Sequence, residues 1–154
     1  MPIDVRFYHL TRSPLDEALA RLLTLTLNRE KRGLVRIGDT LRLEALDERL
    51  WTYEPNSFLP HGTASEPNPE QQPVYLTTGE ENPNQAEYLF LVDDAIMTDI
   101  GSFEMVALLF DGANSDAVMR ARGHWKALKN EGYAPKYYQQ NPTGQWQEKG
   151  QEKQ

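Results

Sequence analysis

Cysteine is absent from all 154 residues. That excludes a disulfide scaffold, thiol catalysis and Cys-ligated zinc, and it suits a reducing cytoplasm. No apolar run reaches the roughly 18 residues of a membrane span. The opening MPIDVRFYHL has no basic stretch ahead of an apolar one, so no secretory signal is expected. Both phosphate-cradle motifs, GxxxxGK with Ser or Thr and GxGxxG, are missing, and so is the GxSxG nucleophile elbow. The three histidines, His9, His61 and His124, show no HxxxH or HExxH spacing, so neither a metal nor a cofactor is expected. As a catalyst the sequence is silent.

What is present starts with charge. The net charge of −7 disfavours generic nucleic-acid binding, because a phosphate backbone rewards positive surface. The distribution is uneven. From Ala117 onward there are seven Lys/Arg against three Glu, while the first 116 residues carry nine Lys/Arg against twenty Asp/Glu. A basic island on an acidic chain can draw in a short acidic ligand while the rest repels DNA. The length fits one domain with a proper core.

Val5–Leu10 alternates and is β-rich, which predicts a first strand. Ser13 as cap, Pro14 at the first helical position and Asp16 and Glu17 beside the positive dipole end predict a helix that Gly33 stops. A short strand over Leu34–Ile37 and a helix from Thr40 to Trp51, capped by Asp39, follow. Gly62–Pro73 is polar and proline-rich and predicts a surface loop. Val74–Thr77, Tyr88–Val92 and Met105–Phe110 predict further strands, the last two nearly all apolar and therefore central. A final helix spans Ser115–Glu131 and stops at Gly132. Alternating strands and helices imply an α/β domain over residues 1–138 around a mainly parallel sheet flanked by helices. Residues 139–154 form a tail that is polar except for Trp146 and is expected to be partly disordered, loose at its end.

Asp93 and Asp94 end the run LFLVDD, and Asp111 ends ALLFD, so carboxylates stand at the ends of apolar strands, where α/β enzymes hold ligands and Mg²⁺. A small nucleotide- or phosphate-dependent enzyme using these three acids is the alternative reading. Without a phosphate cradle they read more simply as turn and capping residues.

Two segments stand apart. In Leu46–Gly62 (LDERLWTYEPNSFLPHG) a helix end carries Trp51, and a proline-bounded loop holds Phe58, Leu59, Pro60 and His61. Aromatic and proline residues crowded into a connection need a cover, either the core or a partner. In the last helix Val118, Ala121, Trp125 and Leu128 recur at buried-stripe spacing. Arg122, Lys126 and Lys129 form a second stripe beside it. An acidic peptide with a hydrophobic end suits such a border; the simpler reading is a core face with a solvated flank.

FYHL (Phe7–Leu10), LDERLW (Leu46–Trp51) with SFLPHG (Ser57–Gly62), and ARGHWKALKNEGY (Ala121–Tyr133) resemble the chi subunit family of bacterial DNA polymerase III holoenzyme. The resemblance implies a Rossmann-like α/β fold that binds no nucleotide, in a non-enzymatic accessory protein of the clamp-loader assembly. It implies a cytoplasmic, replisome-associated protein with two partners. One is the acidic, Phe-terminated tail of single-stranded DNA-binding protein, with Arg122 on its terminal carboxylate, Lys126 on its acidic residues, Trp125 at the pocket, and Gly132 and Tyr133 as its wall. The other is the psi subunit, or a helicase competing for the same surface, at Trp51, Phe58, Leu59, Pro60 and His61. The chain departs from some relatives in having Val118 where they carry a Lys one turn before Arg122.

Overall fold

The structure is a computed structural model; it describes residues 3–12, 14–52, 61–63, 68–93, 95 and 100–149, with the side chains of Trp51, Thr52 and Pro69 excepted. The described elements run β1 (Asp4–Leu10), α1 (Leu15–Asn28), β2 (Gly33–Ile37), α2 (Thr40–Thr52), β3 (Val74–Thr77), β4 (Tyr88–Val92), β5 (Met105–Asp111), α3 (Ser115–Asn130), β6 (Lys136–Gln140) and β7 (Trp146–Lys149). All seven strands join one sheet in the order β3-β2-β4-β5-β1-β6-β7. Every pairing is parallel except the closing β6–β7 hairpin. The expected α/β fold with a mainly parallel sheet flanked by helices is the fold observed.

Side-chain parity decides what covers each face. Tyr8, Leu10, Val35, Ile37, Phe90 and Leu109 meet α1 and α2 through Leu19, Leu23, Leu46 and Leu50. Phe7, Leu34, Leu89, Leu91, Val106 and Leu108 meet α3 through Ala121, Trp125 and Leu128. β4 and β5 are apolar along their length because both their faces are covered, and they occupy the middle of the sheet as predicted. Among the described residues no helix is long and apolar enough to cross a membrane.

Three local expectations need correction. Pro14 is the N-cap of α1 rather than its first helical residue, and among the described residues no side chain caps that end; Ser13 lies outside them. α1 stops well before Gly33. Glu30 takes a left-handed φ of 60°, its N–H reaches Leu27 O at 2.9 Å, and the Lys31 N–H reaches Thr26 O at 3.1 Å. Gly33 instead opens β2, where a Cβ would sit 3.2 Å from Leu23 Cδ2.

The polar segment after Tyr138 is the third. Instead of trailing away, it completes β6 and returns as β7. Asn141 drives the turn, its side-chain oxygen accepting from Thr143 N at 3.0 Å and Gln145 N at 2.9 Å, while Gly144 adopts φ 89°. Tyr8 anchors the hairpin. It stacks on Tyr138 at 5.3 Å and meets Trp146 edge-on at 5.0 Å. Residues 150–154 lie outside the described residues.

Candidate functional site

α3 begins with a full cap: Asn114 Oδ1 accepts from Asp116 N at 3.0 Å and Ala117 N at 3.1 Å. It ends in a Schellman motif, with Gly132 at φ 98°, Gly132 N on Lys129 O at 3.1 Å and Tyr133 N on Leu128 O at 3.0 Å. Gly132, predicted as pocket wall, therefore has a backbone task of its own. Between these ends Ala121, Trp125 and Leu128 are buried, Val118 and Tyr133 pack against them, and Arg122, Lys126 and Lys129 are exposed. The predicted buried stripe and cation stripe are both where their spacing puts them.

Trp125 differs from the expectation of an indole open to a ligand. It is 3% exposed, edge-on to Phe7 at 5.3 Å and to Tyr137 at 5.7 Å. A ring wedged between a central strand and a helix is core, so it can serve a ligand only as the floor beneath one. Its indole Nε1 is buried with no hydrogen-bond acceptor among the described residues.

What lies beside Arg122 was not read from the sequence. His9 and Tyr137, neighbours on β1 and β6, place Nδ1 and Oη 2.6 Å apart. Burial pushes the His9 pKa down and the Tyr137 pKa up, and Arg122's charge is a smaller, lowering influence on each. The His9 ring is tilted over Phe110 at 4.9 Å, and its other side abuts Gly112, where a Cβ would fall 2.3 Å from Nε2. The parity that sends Phe7 to the α3 face also sends His9 there. Tyr137 was hidden in a segment assigned no strand.

Tyr137 thus stands against α3, its ring on Trp125 and within reach of Arg122's charge. Gly132 and Tyr133 lie just beyond the C-terminal end of α3. They line a cavity of about 530 Å³ with Ile3, Asp4, Glu131 and Lys136, at the far end of α3.

The other predicted surface is only partly in view. Phe58, Leu59 and Pro60 lie outside the described residues, and Trp51 is described only as α2 backbone. His61 is buried, with Nε2 3.1 Å from Asp47 O and 3.0 Å from Asp47 Oδ1. As an exposed partner anchor it is corrected: it fastens the loop's end to α2.

The strand-end acids also have partners. Asp93, at φ 50°, pairs with Arg42 Nε at 2.9 Å, and the same guanidinium holds Asp16 at 2.8 Å. Asp111 Oδ1 accepts from Ala113 N at 2.9 Å, a turn-capping bond. Asp94 lies outside the described residues. A cavity of about 330 Å³ at these strand ends is lined by Arg42, Asp93, Asp111 and His124. Among the described residues no group of three or more His, Asp or Glu side chains could hold a metal ion.

Comparison with known proteins gives a consistent picture. Residues 3–136 match the model of the family described as DNA polymerase III chi subunit, HolC. A protein of Rickettsia prowazekii (strain Madrid E), described as a probable DNA polymerase III subunit chi, is 31% identical over 99 residues. That match covers 64% of this chain and 58% of the relative, so the chain spans less than two thirds of that relative's length.

Proposed function

The chain belongs to the DNA polymerase III chi subunit family, and on that premise we propose that it works by adhesion rather than catalysis. It holds the acidic, Phe-terminated tail of single-stranded DNA-binding protein against α3. It joins that protein to the clamp loader through the psi subunit, or to a helicase that takes psi's place. The observation that carries this reading is the exposed row Arg122, Lys126 and Lys129 on α3, with the half-buried Tyr137 within reach of Arg122's charge, on a chain whose first 116 residues are strongly acidic.

Magnitudes assign the parts. Exposed ion pairs contribute about 0.2–1 kcal/mol each, whereas micromolar binding needs about 8 kcal/mol. Three cations therefore steer and orient, and an apolar contact supplies most of the rest. Arg122, the one forked donor in the row, suits the terminal carboxylate. Lys126, about 6 Å further along the helix, suits an acidic residue upstream. With Trp125 covered, the phenyl group of the peptide rests on the Tyr137 ring and the α3 surface beside it.

The second partner surface is assigned to Trp51, Phe58, Leu59 and Pro60, with His61 held against α2. Phe58→Ala should weaken capture of psi while leaving thermal unfolding nearly unchanged.

Calorimetric titration with a short acidic peptide ending in Phe tests the first surface. Binding should weaken as salt rises and fall by up to about fivefold in Arg122→Ala, with the melting temperature unchanged. Equal binding by wild type and Arg122→Ala would sink the assignment.

A further inference from the structure

We propose that His9 and Tyr137 complete the anion site under Arg122, and that a peptide carboxylate docks there together with a proton on the His9 ring. This rests on the peptide-binding reading above and adds to it two residues and a proton.

The geometry supplies the mechanism. Nδ1 of His9 and Oη of Tyr137 are 2.6 Å apart, so a single hydrogen lies between them. While Nδ1 is unprotonated, the Tyr137 hydroxyl donates to it and has no hydrogen left for a ligand. Once both ring nitrogens carry hydrogen, Nδ1 must donate, and Tyr137 Oη becomes the acceptor. The phenolic hydrogen is then released to a carboxylate lying between Tyr137 and Arg122. One N–H bond forms, at Nδ1, with its proton taken from solvent; the phenolic O–H stays intact and only changes its acceptor.

The groups around the ring make this transfer responsive. They are Tyr137 on β6, Asp111 at the end of β5 and Arg122 on α3, with Phe110 and Gly112 as uncharged walls. Arg122 opposes a charge on His9, and Asp111 favours one. A carboxylate on Arg122 offsets the opposing charge, so the free ring is neutral more readily than the ring beneath a bound anion. The thermodynamic consequence is reciprocal: peptide promotes protonation, and protonation tightens the peptide.

The peptide's own carboxylates stay ionised above pH 5.5, since their ordinary values lie near 4. A pH dependence over 5.5–8 must then come from the protein. His124 is distinguishable, being on the opposite side of α3 and under the influence of Arg120.

The test is calorimetry on the full chain with a short acidic Phe-terminated peptide from pH 5.5 to 8.0, in buffers of different ionisation enthalpy. A one-unit upward shift of His9 on binding gives affinity that rises up to about tenfold as pH falls, with fractional proton uptake. His9→Gln and Tyr137→Phe should flatten this profile, and His124→Gln should keep it. Binding that persists in wild type without pH dependence overturns the inference and leaves the proposed function standing. Absence of binding at every pH overturns both. If His9→Gln fails to fold, NMR titration of the wild-type His9 ring decides. Peptide should raise its midpoint; an unmoved midpoint overturns the inference.

Discussion

Trp125 stands edge-on to Phe7, with ring centroids 5.3 Å apart and planes at 76°, and this contact ties α3 to β1. The tryptophan is therefore chiefly structural. Trp125→Ala should cost about 3–5 kcal/mol in urea unfolding, while Trp125→Phe should keep the fold and most peptide affinity. A Trp125→Ala variant as stable as wild type would show that the indole is not core.

α1 and α3 finish in the same backbone motif with different residues. Glu30 adopts φ 60° and Gly132 adopts φ 98°. A side chain pays for the left-handed conformation and glycine does not. Glu30→Gly should raise stability by about 0.5–1 kcal/mol, and Gly132→Ala should lower it by about 1 kcal/mol. No Cβ clash confounds the second, since the space at Gly132 is open. Chemical denaturation of the two variants checks the pair, and matching signs would contradict the account.

The pKa values of His9 and His124 are both below the ordinary 6.5, mainly through burial and secondarily through Arg122 and Arg120 respectively. As pH falls, the unfolded chain gains these protons first. The stability that neutral rings contribute is thus full above about pH 6.5 and is lost as pH drops through the lower folded values. Urea midpoints should fall between pH 7.5 and pH 5.5, and by less in His9→Gln and His124→Gln. A midpoint that rises over this interval would reverse the assigned sign.

Much of this fold was legible because hydrophobic period and cap chemistry agree along β1, β4, β5 and α3. The hairpin was not. KYYQQ lies next to the sheet's edge and WQEK at it, both partly exposed, so their sequence lacks the apolar runs of the centre. Their order comes from Tyr8 stacking with Tyr138 and Trp146, a contact between chain ends that no local window contains. The turn chemistry of Asn141 and Gly144 was the available signal. The cation stripe on α3 was legible for the opposite reason, since it depends only on helical spacing. His9 escaped notice because its significance needs β6 beside it. His61 misled because an exposed loop histidine and one bonded to Asp47 read alike in sequence. Arg36 shows the same limit: it is 2% exposed in β2, with its guanidinium over the Phe103 ring at 5.9 Å.

The most direct test maps the ligand onto the chain: amide and side-chain chemical shifts followed by NMR as a short acidic Phe-terminated peptide is added. The account predicts perturbations centred on Arg122, Lys126, His9 and Tyr137. Shifts centred on Arg42, Asp93 and Asp111 at the strand-end cavity, or none at saturating peptide, would contradict it.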